Sequence, residues 1–473
     1  MADRTFTFTI DTEIAPSLIG DLLRYIIHYH LFPRPTSFVD VSLSYVDDVP
    51  ALSFTILGLE KAWFIRVNIL GTTPLKVEMT PSPGTPREAV EQVKDAIIVW
   101  VQSFEEVVRK TTLYFAWVEG EEIHPERGPQ ARQEAVGKLF SESMLLLFIL
   151  FMFISFPIFW MFGGYAPIIL IALQLVMVLF SDKIVARMGQ WRITQENPHI
   201  HILQYHLPYN EYLLITRRYG PEVLLKIKEE IYERTLRVGK DVDRWTAREV
   251  LLKYGIGCAP ENMVARKVDV YGLVKEVADR FGLPVPKIAV ANIMVPNAAA
   301  SGPSPSHGTV LITTGLLVQL EEDEILSVLA HEFSHLKGRD PLAMFAITAI
   351  EYLLRVYVLW PIAFLMPFFY YPLALGAVYF VAKFFEAKAD LEAAMAVGEP
   401  RVLAEALRKI GFRRLQYERI PTYRLHAWLT WDPHPPLYFR IKRLEELETP
   451  IRVKHPLLRS AADCLKGFIL AIT

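Results

Sequence analysis

The run from Met144 to Phe180 contains no charged residue and is apolar almost throughout. A lipid environment accepts such a segment as a helix, because a helix satisfies its own backbone hydrogen bonds. One span needs about 20 residues, and two spans need about 40 with their turn. Gly163, Gly164 and Pro167 interrupt the run near its middle. A transmembrane helical hairpin over 144–180 is therefore predicted, in preference to an apolar hairpin inside a soluble core.

A second apolar block covers residues 342–382 and is broken by three prolines. Its only charged residues, Glu351 and Arg355, are four residues apart and can pair on one helix face. Charges are costly in lipid, so this pair is expected to face protein or a wet cavity. Apolar residues make up 52% of the chain, which is typical of a protein with membrane segments. The block is predicted to form a second hairpin, with one span plus a buried helix as the alternative.

Positive charges flank both apolar blocks and are missing from the predicted hairpin tips. They are Arg127, Arg132, Lys138, Lys183 and Arg187 around the first block, and Lys337, Arg339, Lys383 and Lys388 around the second. The positive-inside rule then places all water-soluble parts in the cytoplasm. The N-terminus lacks an apolar run, so no signal peptide is expected. These features predict a multi-pass protein of the cell membrane whose partners include the lipid bilayer.

Other classes of partner or cofactor find little support in the sequence. The formal net charge is -2, so the charge balance does not indicate nucleic-acid binding. The two cysteines, Cys258 and Cys464, form neither a disulfide framework nor a thiolate metal site. His199, His201 and His206 allow a second metal site, but no carboxylate or cysteine joins them at a recognised spacing. A polar strand face is the favoured interpretation of these histidines.

The motif H-E-x-x-H occurs once, at residues 331–335. Two imidazoles four residues apart, His331 and His335, lie about one turn apart on one helix face and can bind one zinc ion. Glu332 lies beside the metal, where it can deprotonate the water that zinc acidifies. Apolar residues recur at helical spacing on another face, so this helix can be buried on one side.

A catalytic zinc usually takes three protein ligands, so one more ligand is required. Glu386, in the stretch F-F-E-A-K-A-D, is the candidate, and Asp390 lies four residues later on the same predicted helical face. One carboxylate can bind the metal while the other orients a ligand histidine. The spacing alone equally allows a solvated acidic pair beside Lys383 and Lys388.

Four stretches, in order along the chain, resemble one protein family. They are G-L-P-V-P-K-I-A-V-A-N-I-M-V-P-N-A-A-A-S-G at 282–302, V-L-I-T-T-G-L-L through H-E-F-S-H-L-K-G-R-D at 310–340, E-A-K-A-D at 386–390, and H-P-P-L-Y-F-R-I at 434–441. Together, over residues 265 to 445, they resemble the HtpX-like integral-membrane zinc metalloproteases, gluzincins related to the CAAX prenyl proteases. One departure is A-K-F-F-E before Glu386, where relatives often have arginines.

This resemblance implies roles for individual residues. His331, His335 and Glu386 would bind one Zn²⁺ per chain, Glu332 would act as general base, and Asp390 would orient a ligand. Two further residues would lie near the cleft: His434, a possible donor to the tetrahedral oxyanion or else a turn histidine, and Arg440, otherwise a structural salt bridge. An extended substrate would dock on the strand from Lys287 to Met294 and its continuation through Asn297, Ala298, Ala299 and Ala300, unless this is a plain core strand.

The predicted fold class is multidomain α+β. It comprises an N-terminal α+β domain over 1–125, a linker over 126–143, the hairpin over 144–180, and an intermediate cytosolic segment over 183–264. A mainly helical H-E-x-x-H zinc metalloprotease domain with a small substrate-edge sheet follows over 265–473, interrupted by the membrane block 342–382. The N-terminal domain carries strand-type alternation and two amphipathic helices but no chemical motif.

The expected function is that of a membrane-embedded zinc endopeptidase acting on polypeptides. The resemblance implies a role in quality control of membrane proteins. Two alternatives remain at this point: a CAAX-type prenyl-protein processing peptidase, and a non-enzymatic membrane scaffold with a structural zinc. A scaffold would need a closed fourth coordination position, whereas a hydrolase would need Glu332.

Overall fold

The computed structural model describes residues 5–58, 62–123, 143–418 and 420–472, with the side chains of 143–152 and 421 left aside. The predicted linker and its three cations therefore lie outside the described residues, apart from residue 143.

The strands are β1 (Phe6–Ile10), β2 (Phe38–Val46), β3 (Val49–Leu57), β4 (Phe64–Leu70), β5 (Leu75–Pro81), β6 (Thr112–Val118), β7 (Trp191–Ile193), β8 (His199–His206), β9 (Met263–Asp269), β10 (Lys287–Ala291), β11 (Ala298–Ser301) and β12 (Thr309–Thr313).

The helices account for most of the second half of the chain. They are α1 (Ile19–Ile26), α2 (Arg87–Arg109), α3 (Ser143–Phe162), α4 (Ala166–Leu179), α5 (Ser181–Met188), α6 (Tyr209–Arg218), α7 (Pro221–Arg234), α8 (Arg244–Lys253), α9 (Val270–Phe281), α10 (Thr314–Gln319), α11 (Glu322–Gly338), α12 (Asp340–Leu353), α13 (Trp360–Leu365), α14 (Pro367–Val397), α15 (Pro400–Ile410), α16 (Phe412–Glu418), α17 (Pro421–Leu429), α18 (Leu437–Glu445) and α19 (Pro456–Ile472).

The N-terminal part is an antiparallel sheet of five strands in the order β1-β5-β4-β3-β2. Alternation in β4 buries Ile65, Val67 and Ile69, as expected for a strand with one face toward a core. Buried apolar residues of α1 and α2 belong to the same core. The described residues of this part thus contain both strands and helices, and its status as a separate α+β domain stays a prediction.

The predicted domain boundaries differ from the observed sheets. Strand β6, which was expected to end the N-terminal domain, pairs with β8 of the intermediate segment, and β8 pairs with β9 at the start of the predicted protease domain. The three strands form one antiparallel sheet in the order β6-β8-β9. Alternation of apolar and polar residues predicts a strand but not which strand it pairs with, because sheet hydrogen bonds join residues distant in sequence. The histidines of β8 lie in this sheet, and His206 Nδ1 is 2.9 Å from Thr112 Oγ1.

The third sheet lies beside the H-E-x-x-H helix and has the strand order β11-β12-β10-β7. β10 pairs in parallel with β12 and antiparallel with β7, so it is an interior strand. The prediction that Lys287–Met294 forms a docking edge is therefore wrong. The two edge strands are β7 and β11, and β11, which contacts the H-E-x-x-H helix, pairs on one side with β12. Interior and edge strands can both be apolar, so only the pairing distinguishes them.

The apolar blocks form helices suited to a membrane. Phe153–Leu179, Asp340–Val358 and Pro367–Val397 are long and apolar enough to cross it. In the first block α3 and α4 contact each other across a turn at Gly163–Tyr165, where Gly163 has a φ of 53°. In the second block the Tyr357 hydroxyl donates to the Gly164 carbonyl at 2.6 Å. The end of the segment Asp340–Val358 therefore lies at the tip of the first hairpin. From there the chain continues through α13 into α14, which packs against the H-E-x-x-H helix.

A buried polar cluster links α2 to the segment after β1. The side chains of Glu13 and Glu105 are each 3% exposed, and Arg109 donates through Nε to Glu13. The Glu13 backbone N–H donates to Glu105 at 3.3 Å. Burial and the neighbouring Glu13 carboxyl raise the pKa of Glu105 to about 8, although Arg109 acts in the opposite direction.

This raised pKa predicts a specific pH dependence of stability. Because folding raises the pKa of Glu105, protonation of this group favours the folded state. Its contribution to the free energy of unfolding is fully present below the pKa of the unfolded state and is lost as the pH rises through about 8. Glu105→Gln has no such titration. We expect the melting temperature of this variant, relative to that of wild type at the same pH, to be higher at pH 9 than at pH 6 by at least about 2 °C. Differential scanning fluorimetry in detergent measures this, with Glu106→Gln on the same helix as control. A constant difference across the pH range would contradict the assignment.

Candidate metal centre

The two motif histidines converge from one face of α11. A capping box between Glu321 and Glu324 begins the helix, and Arg339 in the left-handed conformation ends it, with a φ of 52°. The Nε2 atoms of His331 and His335 are 3.3 Å apart, with their rings nearly perpendicular. Both nitrogens therefore point at one position, the arrangement expected for two ligands of one ion.

Glu386 completes the group from α14. Its carboxylate oxygens lie 3.3 Å from His331 Nε2 and 3.5 Å from His335 Nε2. Within the described residues, these three side chains are the one histidine, cysteine and carboxylate group with metal-ligand geometry, all ligand atoms lying within 4.8 Å. Glu386 Oε2 is buried and lacks an aligned hydrogen-bond partner in the described part of the chain. A buried, unsatisfied carboxylate oxygen between two imidazoles fits a divalent metal and its preference for two histidines and one glutamate.

The Nδ1 atom of each histidine lies next to a carboxylate that is itself paired with a cation. His331 Nδ1 lies 2.9 Å from Asp390, and Asp390 accepts two hydrogen bonds from Arg440 at 2.7 and 2.8 Å. The structure thus brings Asp390 and Arg440 together behind His331, and their orienting role stays a prediction. Such partners fix the tautomer and ring orientation of a ligand histidine.

The matching support for His335 was missed by sequence reasoning. His335 Nδ1 lies 2.9 Å from Asp340, and Lys388 donates to both Asp340 oxygens at 2.7 and 2.8 Å. Asp340 ends the stretch H-E-F-S-H-L-K-G-R-D and follows the left-handed Arg339. The sequence signal was therefore present, because a turn directly after the zinc helix can bring a nearby carboxylate back to its last histidine.

The carboxylates around the two histidines favour the protonated imidazoles. Burial by itself lowers the pKa of His331, but the nearby carboxylates of Asp390 and Glu386 reverse this and raise it. The pKa of His335 is raised in the same way, against burial, by the charge of Glu386 and the bond to Asp340. A site that stabilises positive charge on its imidazoles is also suited to a dication.

Asp340→Asn is expected to weaken zinc binding by about 10- to 100-fold, because His335 loses its anionic partner and Lys388 its counter-ion. Competition with a fluorescent zinc chelator measures the Kd on detergent-purified protein. Asp323→Asn, an identical change at an exposed position of α11, is the matched control. Equal Kd values for the two variants would show that Asp340 does not orient the ligand.

Glu332 contacts the edge strand. Its Oε2 accepts a hydrogen bond from the Ala300 backbone N–H at 2.8 Å. This N–H points away from β12 and therefore lies on the free side of β11. The backbone N–H of Ala298 points to the same side, because backbone directions in a strand repeat every two residues. Asn297 is placed differently, since its N–H and C=O both bond to Thr313 and close the turn before β11. Of the predicted substrate residues, Ala298 and Ala300 therefore offer the backbone groups toward the site.

His434 lies at the rim of the metal group. Its Nε2 is 3.4 Å from Glu386 Oε2, and its Nδ1 is 2.9 Å from Asp432, which also accepts the His434 backbone N–H at 2.8 Å. Burial opposes ionisation of Asp432, but the bonds from His434 and the charge of Arg414 lower its pKa. His434 is 44% exposed at its side chain, so it remains open to a ligand.

The lysine of A-K-F-F-E holds the loop that carries His434. Lys383 is 1% exposed, and its Nζ donates to the backbone carbonyls of Thr430 and Asp432. These bonds connect α14, one turn before Glu386, to the residues directly preceding His434. Lys383 is therefore a positioning residue for His434.

Lys383→Met is expected to lower kcat for peptide cleavage about 10- to 100-fold without changing the zinc content, since the released loop no longer directs His434 at the site. Lys383→Arg keeps a cationic donor and should restore most of the rate. Steady-state kinetics on a fluorogenic peptide, with zinc content measured on the same samples, makes the comparison. Parallel loss of zinc and activity would instead show a general structural role.

Helices long and apolar enough to cross a membrane, together with two histidines and a glutamate in metal-ligand geometry, are typical of a membrane metalloprotein. Residues 265–448 match Peptidase family M48. A protease HtpX homolog of Pyrococcus furiosus is 30% identical over 213 residues, covering 38% of this chain and 73% of that protein. One of Syntrophotalea carbinolica is 30% identical over 211 residues, covering 37% and 75%. The chain therefore belongs to peptidase family M48, among its HtpX-like members, and the predicted resemblance is confirmed.

Other relatives match over shorter lengths or with lower similarity. A protease HtpX homolog of Methanothermobacter thermautotrophicus is 33% identical over 153 residues, which span 30% of this chain and 59% of that protein. The crystal structure of S. mikatae Ste24p aligns over 66% of each chain, with 14% identity and a TM-score of 0.34. The family match begins at residue 265, so the N-terminal sheet and the whole intermediate segment precede it.

Proposed function

We propose that this protein is a membrane-embedded zinc endopeptidase. The observation that carries the proposal is the convergence of His331, His335 and Glu386, with Glu332 next to them and bonded to a free sheet edge. Three protein ligands are typical of a catalytic zinc and leave a position for water or substrate. In the described part of the chain, no fourth ligand joins this group, which favours a hydrolase over a scaffold with structural zinc.

When bound, the zinc would acidify a water molecule and polarise the peptide carbonyl. The role of each protein residue in the reaction follows from its position. Glu332 takes a proton from the water and returns it to the leaving amine. His434, at the rim and held by Asp432, donates a hydrogen bond to the developing oxyanion. Asp390 and Asp340 keep the imidazoles aligned throughout.

The substrate would bind as an additional strand on β11. The outward backbone groups of Ala298 and Ala300 are available for antiparallel or parallel pairing, and small side chains leave room for another backbone. A substrate strand would take over the Ala300 N–H that now bonds to Glu332. Its arrival would thus release the general base for proton transfer.

The substrates we propose are damaged or unassembled membrane proteins, cleaved on the cytoplasmic side of the cell membrane. Two observations support this choice: the segments α12 and α14 connect the centre directly to the membrane, and the chain is similar to proteins named protease HtpX homologs. The cations Lys337 and Arg339 before α12, and Lys183 after α4, support the cytoplasmic orientation.

Reconstituted proteoliposomes provide the test. The purified protein is incubated with an unfolded membrane protein, with casein, and with a farnesylated peptide ending in a CAAX sequence. Cleavage of the first two that stops with 1,10-phenanthroline and returns with Zn²⁺ is expected. Cleavage confined to the farnesylated peptide would overturn the quality-control assignment in favour of prenyl-protein processing. Full zinc occupancy without any cleavage would favour the scaffold.

A further inference from the structure

The C-terminal helix α19 has an apolar outer face. Leu465, Ile469 and Leu470 are 48%, 58% and 66% exposed, and Ile472 is 58% exposed. The last charged residue before the end of the helix is Lys466. The following stretch, G-F-I-L-A-I, is apolar throughout. A helix end of this composition is unfavourable in water because several large side chains remain solvated.

α19 packs antiparallel along α14. Cys464 Sγ lies 3.7 Å from the carbonyl oxygen of Lys383, whereas the ring of Phe468, one turn later, lies 5.3 Å from that of Phe380, which is earlier in α14. α19 also packs closely against α18, because a Cβ at Gly467 would lie 2.6 Å from Phe439. The end of α19 therefore runs back along α14, away from Glu386.

The part of α14 that precedes Phe380 in the sequence belongs to a segment long and apolar enough to cross a membrane. It exposes large apolar residues such as Phe369 at 74% and Leu373 at 76%. The end of α19 lies next to this exposed apolar surface and continues it on the same side of Lys383. At 1.5 Å per residue, residues 467–472 extend about 9 Å along the helix axis, the depth to which interfacial helices penetrate.

We propose that the end of α19, residues 467–472, inserts into the lipid bilayer beside α14, with Lys466 at the level of the headgroups. The partner of this surface is lipid, because the surface continues that of a membrane-spanning helix. The proposal rests on α14 crossing the membrane and is independent of hydrolysis. Its consequence for the metal centre is geometric: Glu386 is six residues beyond Phe380, about 9 Å along α14. The centre is thereby held close to the membrane surface.

Site-directed fluorescence on the full-length protein in liposomes tests this insertion. In a Cys258→Ser background the remaining Cys464 is fully buried, and the background protein itself serves as labelling blank. Ile469→Cys and Ala462→Cys are labelled separately with the fluorophore NBD. Both positions are exposed and share one helix face, since seven residues make nearly two turns. The two probes differ chiefly in their distance along the axis.

We expect the probe at residue 469 to show blue-shifted emission and quenching by spin-labelled phosphatidylcholine. Iodide quenching should be at least about threefold stronger at residue 462 than at residue 469. Equal iodide quenching at both positions would overturn the proposal, because the helix end would then lie in water. Protection of residue 469 from both quenchers would also overturn it, by showing that protein, such as a second copy of the chain, covers this face.

Discussion

Glu332→Gln is expected to lower the rate of peptide-bond hydrolysis by about a thousandfold or more, while the protein retains its zinc. The substitution removes the carboxylate that would accept the proton of the attacking water but leaves His331, His335 and Glu386 unchanged. An amide can still accept the hydrogen bond from the Ala300 N–H, so the edge strand should keep its position. Casein cleavage in detergent and zinc content by atomic emission spectroscopy are measured on the same preparations.

Glu322→Gln is the matched control for this experiment. It makes the same chemical change on the same helix, at an exposed position in the first turn. Wild-type activity and zinc content are expected for it. Substantial hydrolysis by the Glu332→Gln variant would exclude Glu332 as the general base. Loss of zinc in that variant would show that this side chain contributes to metal binding.

Glu386→Gln is expected to have the opposite pattern, losing activity because it loses the metal. A neutral amide is a far weaker zinc ligand than a carboxylate, and two imidazoles alone are a poor site for a catalytic zinc. We expect zinc affinity to fall by more than about 100-fold, beyond the effect of altering an orienting residue. Chelator competition gives the Kd, and added Zn²⁺ should restore little of the casein cleavage.

Glu392→Gln is the control, six residues further along α14. Glu392 accepts a hydrogen bond from Ser334 at 2.6 Å, and glutamine can accept the same bond. Zinc binding close to wild type is expected for this variant. Equal losses in the two variants would indicate that α14 is disturbed as a whole. Unchanged affinity in Glu386→Gln would require a different third ligand.

Local sequence patterns were enough to predict the metal group as a hypothesis. A four-residue spacing brings His331 and His335 together on any α-helix, so their convergence follows from helix geometry alone. The apolar blocks likewise predicted helices able to cross a membrane, because length and composition decide that property. Glu386 was different, since its spacing to Asp390 also suits a solvated surface pair, and resemblance to a family was needed to choose.

Contacts between distant segments explain what sequence reasoning missed. Lys388 supports Asp340 across 48 residues, and Lys383 reaches the carbonyl of Asp432 across 49. As isolated residues, both lysines are indistinguishable from ordinary surface cations. The sheet partners of β6 and the interior position of β10 were similarly hidden, because alternation fixes the faces of a strand but not its neighbours.

The sequence by itself determined the features that depend on short-range geometry: the convergence of His331 and His335 on α11 and the apolar helices. Tertiary structure alone decided that β11 is an edge strand, which side chains contact the motif histidines, and where the end of α19 lies. The physical reason is that helix periodicity and hydrophobicity act between near neighbours. Hydrogen-bond partners and burial instead depend on chain segments that meet only in the folded protein.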